Sequence, residues 1–324
     1  MRAWVVDRLE GVGALDLRDV AEPAAPAAGE VTVEVSAVGL NYPDLLMLSG
    51  GYQYRPTLPF TPGMEGVGRI LAVGEGVSPE LLGHRLLLGG RTGLLAERVT
   101  MPLASLREVP EALCDAEAAG FTTGALTAWV ALVARGRIAA GEHLLVLGAG
   151  GGMGLAAVAL GKAFGAQVTA VASDPAKLEA ARQAGADAGL LADRAAPDLS
   201  SLKGACDLVF DPVGGAHVLP ALKTLRWGGR YLVIGFVAGA PVAVPTNLAL
   251  LKGIEIIGVR AGEAGRQDPL LGRQALSEID RIAASGGLRP IIGLQVPFSR
   301  APEAFAAMEA GSLVGKAVIA MDRE

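Results

Sequence analysis

At 324 residues the chain has room for two ordinary domains, because single cores stop growing at roughly 250–300 residues. Apolar residues make up 51% and charged residues 19% of it, which excludes an intrinsically disordered chain. A formal net charge of -5 argues against a nucleic-acid or anionic-membrane partner, since both select a basic face.

The first residues, MRAWVVDRLE, carry charges at Arg2, Asp7, Arg8 and Glu10 and do not read as a secretory leader. The first 110 or so residues read as β-rich. Val31, Val33 and Val35 alternate with Thr32, Glu34 and Ser36, the period of a half-buried strand. Gly50, Gly51, Pro59, Pro62, Gly63, Gly89 and Gly90 punctuate short strands and loops. From Asp115 to Ala134 the chain turns alanine-rich and should be largely helical.

A regular alternation begins near Glu142. Strands are expected at 144–147, 168–172, 189–191, 208–210, 231–234 and 254–259, with helices at 153–164 and 175–184 between the early ones. Each of these helices closes at a glycine, Gly165 or Gly185. Strands and helices in this order imply right-handed βαβ units and a parallel sheet. A further helix at 270–284 and a short strand at 317–320 follow. Two uncharged stretches, 144–161 and 232–251, approach the length of a membrane span. The first holds six glycines and the second Pro241, Pro245 and Asn247, so both read as buried α/β core.

The segment Leu144–Gly154 is the centre of the chemistry. An apolar strand runs into Gly148, Ala149, Gly150, Gly151, Gly152, Met153 and Gly154, and an alanine-rich helix follows. This is a variant of the dinucleotide fingerprint, with strand and helix where the mechanism needs them. Gly151 would let the backbone approach a pyrophosphate, and Gly154 would let the helix pack on the sheet. Unpaired N–H groups at the helix start would then bind the phosphates. Gly235, after the strand at 231–234, is counted with Ala149, Gly151, Gly152, Met153 and Gly154 as a cofactor contact.

The end of the second strand decides which nicotinamide cofactor is bound. An acidic residue there would hold the ribose 2′-hydroxyl of NAD and repel a 2′-phosphate. Ala172, Ser173 and Lys177 instead favour NADPH over NADH. Asp174 is the counter-signal, but Pro175 makes it the N-cap of the next helix.

Several segments together resemble the zinc-free quinone oxidoreductases, the ζ-crystallin-like group of the medium-chain dehydrogenase/reductase superfamily. They are Gly39–Asp44, Gly51–Tyr52, Leu58–Glu65, Leu126–Trp129, the glycine loop, Asp211–Gly215 and Gly315–Val318, in an order that spans nearly the whole chain. The resemblance implies an α/β protein with a central doubly wound Rossmann domain, 121–261. A discontinuous β-rich GroES-like catalytic domain, 1–120 and 262–324, would be built around it. It implies a homodimer acting on a small electrophile. Asn41 and Tyr52 would line the cleft beside the nicotinamide and donate to the substrate oxygen, and Thr127 would help hold the nicotinamide region. Asp44 would fix nearby backbone, and Glu65 would brace the cleft.

Zinc-containing members place a cysteine near position 41 and a histidine before the acidic residue; Asn41 and Met64 stand there instead. His84, His143 and His217 have no ligand spacing, and Cys114 and Cys206 stand alone, as suits a reducing cytoplasm. No metal site is expected.

Three departures from the family pattern are visible. Leu46 and Leu48 replace tyrosine and arginine of some relatives, which points to a more apolar pocket. The stretch Leu190–Arg194 lacks a tyrosine that often binds the NADPH phosphate. Gly150 replaces a usual alanine and reads as conservative and without effect on binding. The expected activity is zinc-independent hydride transfer from NADPH to a quinone or an α,β-unsaturated carbonyl. The alternatives are an enoyl-thioester reductase and a non-catalytic NADPH-binding protein.

Overall fold

A computed structural model describes residues 1–239 and 241–322. The chain forms two compact units: Met1–Thr123 with Ile292–Glu324, and Gly124–Ile291.

In the second unit six strands form one parallel sheet. Their order is Ala188–Leu191, Gln167–Ala172, His143–Leu147, Cys206–Asp211, Leu225–Val233 and Glu255–Gly258. In sequence terms this is 3-2-1-4-5-6, the order of a doubly wound dinucleotide-binding sheet. The central strand His143–Leu147 is wholly apolar after its first residue because both faces are covered: Leu144, Leu145, Val146 and Leu147 are all inaccessible to solvent. The order reverses between the strands ending at Leu147 and Asp211, and ligands of such sheets bind at that switch point, beyond the carboxyl ends of the strands.

The first unit is a seven-stranded mixed sheet. Its main path runs Ile292–Pro297, Lys316–Ala320, Glu30–Gly39, Glu65–Val73, Arg85–Gly89 and Arg107–Glu108, with Arg98–Pro102 paired to Glu30–Gly39. Val318, Ile319 and Ala320 pair antiparallel with Gly39, Val38 and Ala37. The late segment thereby completes a core begun by the early one. Trp4, Val31, Val33, Leu40 and Met47 pack in one cluster with Phe298, Phe305 and Ile319. The Trp4 indole N–H donates to the Phe298 carbonyl at 2.8 Å.

The return to the first unit falls at Ile292 and not at residue 262. The helix Pro269–Ala284 belongs to the second unit, for a local reason. Ala275, Ile279, Ile282 and Ala283 form a buried stripe at helical spacing, and Glu278 accepts the Trp129 indole N–H at 2.7 Å.

Phe305 is inaccessible to solvent, so Phe305→Ala should destabilise the first unit by about 3–5 kcal/mol. Urea denaturation followed by intrinsic fluorescence checks this, and an unchanged midpoint would remove residues 292–322 from the early segment's core.

Candidate functional site

The glycine loop is shaped by three close approaches. Gly148 turns with φ +60°, and the Ala149 N–H donates to the Val171 carbonyl at 3.0 Å, tying the loop to the second strand. A Cβ on Gly154 would lie 2.4 Å from the Gly148 oxygen and 2.8 Å from the Ala149 Cα, so the helix Gly152–Ala163 can seat here only without one. Gly151 differs: its Cβ would meet nothing nearer than the Gly148 oxygen at 3.6 Å, leaving the backbone open to a ligand. The loop therefore fits a pyrophosphate at the start of a twelve-residue helix. Met153 is half-buried in the first turn. Across the switch point Val213 packs against Gly148, and Gly235 lies against the Pro212 carbonyl. Thr127 is half-buried in the helix Thr122–Trp129, whose Gly124 lies against Gly152.

At the end of the second strand Asp174 caps the helix Pro175–Gln183, accepting the Lys177 N–H at 3.0 Å. Its carboxylate is thus committed to backbone, while its other oxygen lies 3.7 Å from the Lys177 ammonium. Exposed Ser173 accepts from Arg194 Nε at 3.2 Å. Burial, and secondarily the charge of Arg194, lowers the Lys177 pKa. Two cations and a hydroxyl therefore gather here. Sequence reasoning marks the stretch that holds Arg194 only by the tyrosine it lacks and misses the arginine itself, which reaches Ser173 from beyond the third strand.

The first unit holds a buried polar cluster. Asn41 caps the helix Tyr42–Leu48, and Asp44 closes that turn by accepting the Asn41 N–H at 2.9 Å. The other Asp44 oxygen accepts the Gly63 N–H at 3.2 Å, which fixes the backbone as the sequence suggests. Lys316 supplies the charge. Its ammonium donates to the Leu40 carbonyl at 2.8 Å, Asn41 Oδ1 at 2.8 Å and Glu65 Oε1 at 2.7 Å. Glu65 also accepts from Asn41 Nδ2 at 2.9 Å and from the Thr123 N–H at 2.7 Å. Because an ammonium can only donate, it fixes Asn41 Oδ1 toward itself and Nδ2 toward the carboxylate.

Asn41 is therefore not a freely pointing donor. One amide hydrogen is held by Glu65, and the other has only a 3.5 Å contact to the Gly39 carbonyl. Tyr52 is half-buried against the apolar core, and its hydroxyl has no hydrogen bond among the described residues. Leu48 is buried completely in that core, and Leu46 is half-buried. His84 is exposed at a turn, as expected, while His143 bonds Ala205 and Thr169. Among the described residues no group of three or more His, Cys, Asp or Glu side chains could hold a metal ion.

Burial pushes the Asp44 carboxyl from its ordinary 3.8 up to about 7, against the pull of its backbone N–H bonds and Lys316. A carboxyl whose pKa rises on folding binds its proton more tightly in the folded state. It therefore contributes most stability below about pH 4 and loses that contribution as pH rises toward 7. Relative to Asp44→Asn, the wild type should lose stability between those limits by up to ~1.4 kcal/mol per pH unit. Urea titrations of both proteins across this range check the slope; a pH-independent difference would show that Asp44 is ionised throughout.

Comparison with known proteins agrees with this architecture. Residues 27–135 match the alcohol dehydrogenase GroES-like domain, and residues 152–279 match the domain family described as zinc-binding dehydrogenase. Quinone oxidoreductase-like protein 2 of Rattus norvegicus is 32% identical over 95% of this chain and 89% of its own length. The quinone oxidoreductase of Thermus thermophilus, whose structure is also known in complex with NADPH, is 36% identical. It superposes with a TM-score of 0.86 over 99% of this chain and 100% of its own. A probable oxidoreductase of Mycobacterium abscessus gives 31% identity and a TM-score of 0.87 over 99% and 98% of the two chains. With a GroES-like first unit, a Rossmann second unit and this extent of likeness, the chain belongs to the quinone oxidoreductase-like group of the medium-chain dehydrogenase/reductase superfamily.

Proposed function

We propose that this protein is an NADPH-dependent reductase of small electrophiles, quinones or α,β-unsaturated carbonyls, working without zinc. The observation that carries the cofactor choice is the gathering of Ser173, Lys177 and Arg194 at the second strand end, with the Asp174 carboxylate committed to a helix cap. A 2′-phosphate carries up to two negative charges and suits that gathering; a bare ribose gains little from it. The likeness to an enzyme solved with NADPH supports the same reading.

When bound, the dinucleotide supplies the hydride, and the chain's own residues bind and orient. The loop Ala149–Gly154 holds the pyrophosphate through backbone N–H groups and the helix start. Thr127 and Gly235 are assigned to the nicotinamide half. Asn41, through its weakly held second amide hydrogen, and Tyr52, through its hydroxyl, are the donors for negative charge growing on a substrate oxygen. The Lys316 ammonium and Glu65 keep Asn41 in one orientation and make it a rigid donor. Asn41 and Met64, at the positions where zinc-containing members place ligands, offer an amide and a thioether, a poor donor set for zinc.

We further read the protein as a cytoplasmic homodimer. The edge strand Glu255–Gly258 exposes Ile256, Leu250 and Leu251 just before it are also exposed, and exposed Trp227 lies against Gly253, an apolar set that suits burial against a second copy. No helix among the described residues is long and apolar enough to cross a membrane.

An anaerobic NADPH-oxidation screen over quinones, enones and enoyl thioesters tests the activity. Turnover is expected with small quinones or enones, and Asn41→Ala and Tyr52→Phe should slow single-turnover hydride transfer while leaving NADPH affinity near the wild-type value. Tight NADPH binding with no oxidation across the panel would make the protein a non-catalytic binder. For the cofactor, Lys177→Ala should weaken NADPH binding by about tenfold or more and leave NADH nearly unchanged, since hydrogen bonds to charged groups contribute about 1.5–3 kcal/mol. Equal losses for the two cofactors would refute the phosphate assignment.

A further inference from the structure

We propose that Gly150 is a cofactor-specificity residue that acts through Lys177, by giving the lysine stem a seat directly on the phosphate-binding loop. This rests on the NADPH reading above.

The geometry is unusually close. A Cβ built on Gly150 would lie 2.3 Å from Lys177 Cβ, 2.6 Å from its Cγ and 2.9 Å from its Cα. None of these is the far end of a flexible chain. A methyl group at position 150 cannot be relieved by swinging the ammonium aside; the root of the side chain, or the backbone carrying it, must move.

Neither partner is free to retreat. Lys177 sits in the first turn of the helix Pro175–Gln183, where its N–H is held by the Asp174 cap at 3.0 Å. Leu178, Ala180 and Ala181 of the same helix are buried. On the loop side, Ala149 is bonded to Val171, and Gly154 closes on Gly148 with no room for a Cβ. Loop, second strand and second helix therefore interlock, and Gly150 is the point at which the loop touches the lysine. The change from alanine reads as conservative in sequence, but here it lets two ligand-binding elements come together.

The charges explain why that seat matters to the ligand. The Lys177 side chain is only 11% exposed, and its burial and the nearby charge of Arg194 both disfavour the ammonium form. A buried cation with limited freedom delivers its charge to one place, so moving its root moves the charge. A dianionic phosphate bound there would relieve the repulsion between the two cations. A cofactor without that phosphate gains nothing from the seat.

The test measures NADPH and NADH dissociation constants for wild type, Gly150→Ala, Lys177→Gly and the double variant. Gly150→Ala should weaken NADPH by about tenfold with NADH within about twofold of wild type. Lys177→Gly removes the two closest clashing atoms and leaves only the 2.9 Å approach to the Cα, so adding Gly150→Ala to it should change both constants alike, each by no more than about twofold. A merely structural injury to the loop would weaken both cofactors, because both carry the pyrophosphate. Should Gly150→Ala fail to fold, the double variant decides: it should fold and keep the NADPH-to-NADH ratio of Lys177→Gly. A double variant that does not fold overturns the proposal, as do equal losses for both cofactors or additive effects of the two substitutions. A wild type that prefers NADH overturns the NADPH reading itself. A wild type that prefers NADPH, with a ratio unmoved by Gly150→Ala, overturns only the role of Gly150.

Discussion

The buried ammonium of Lys316 is the interaction on which the first unit turns. Desolvating an ammonium and a carboxylate costs several kcal/mol per ion, and their attraction offsets this only when the remaining donors and acceptors are also satisfied. Here they are. Lys316 makes three hydrogen bonds, and both Glu65 oxygens have partners. One charge thereby fixes the strand Lys316–Ala320, the end of the strand Glu30–Gly39, the first residue of the strand Glu65–Val73 and the orientation of Asn41. Removing one partner would leave a charge stranded, which in buried pairs costs about 3–5 kcal/mol. Asp44 feels the same enclosure. Burial raises the Asp44 carboxyl's pKa, against the pull of its backbone N–H bonds and of Lys316.

The Rossmann half is legible in the sequence because its signals are local. Apolar runs of three to six residues, glycine stops at Gly165 and Gly185, and a proline after Asp174 each report on their own few residues; the strand expected at 231–234 starts earlier, at Leu225. The glycine loop is legible for the same reason, since a strand and a helix that flank it are both readable. What escapes is long-range. Lys316 lies 251 residues from Glu65; by itself it is a lysine before an apolar strand, a pattern that usually means a solvated strand end. Arg194 meets Ser173 across the gap between two adjacent strands. The motif around Leu48 points it toward a pocket, but the short helix Tyr42–Leu48 turns it inward.

The three loop glycines show how one letter stands for different constraints. Gly154 is required by the backbone of its own loop, a constraint that the spacing of the fingerprint encodes. Gly151 is required by no protein atom, so its openness matters only toward a ligand. Gly150 is required by a side chain 27 positions later, which no pattern of glycines can express. The glycine pattern can express the first two; the third is visible only in the structure.

The split of the first unit has a consequence for synthesis on the ribosome. The Rossmann unit, Gly124–Ile291, is contiguous and has all its strands and its glycine loop before residue 292 is made. The other half must wait. Its strand Glu30–Gly39 lacks a neighbour, and Glu65 lacks its ammonium, until Lys316 is added. At roughly 5–20 residues per second, the 251-residue interval amounts to some tens of seconds. During that time a partly built apolar core and the Glu65 carboxylate lack their late partners, while the strands of the Rossmann unit are already complete. The nascent chain thus completes the strands around its glycine loop first and the surroundings of Asn41 last.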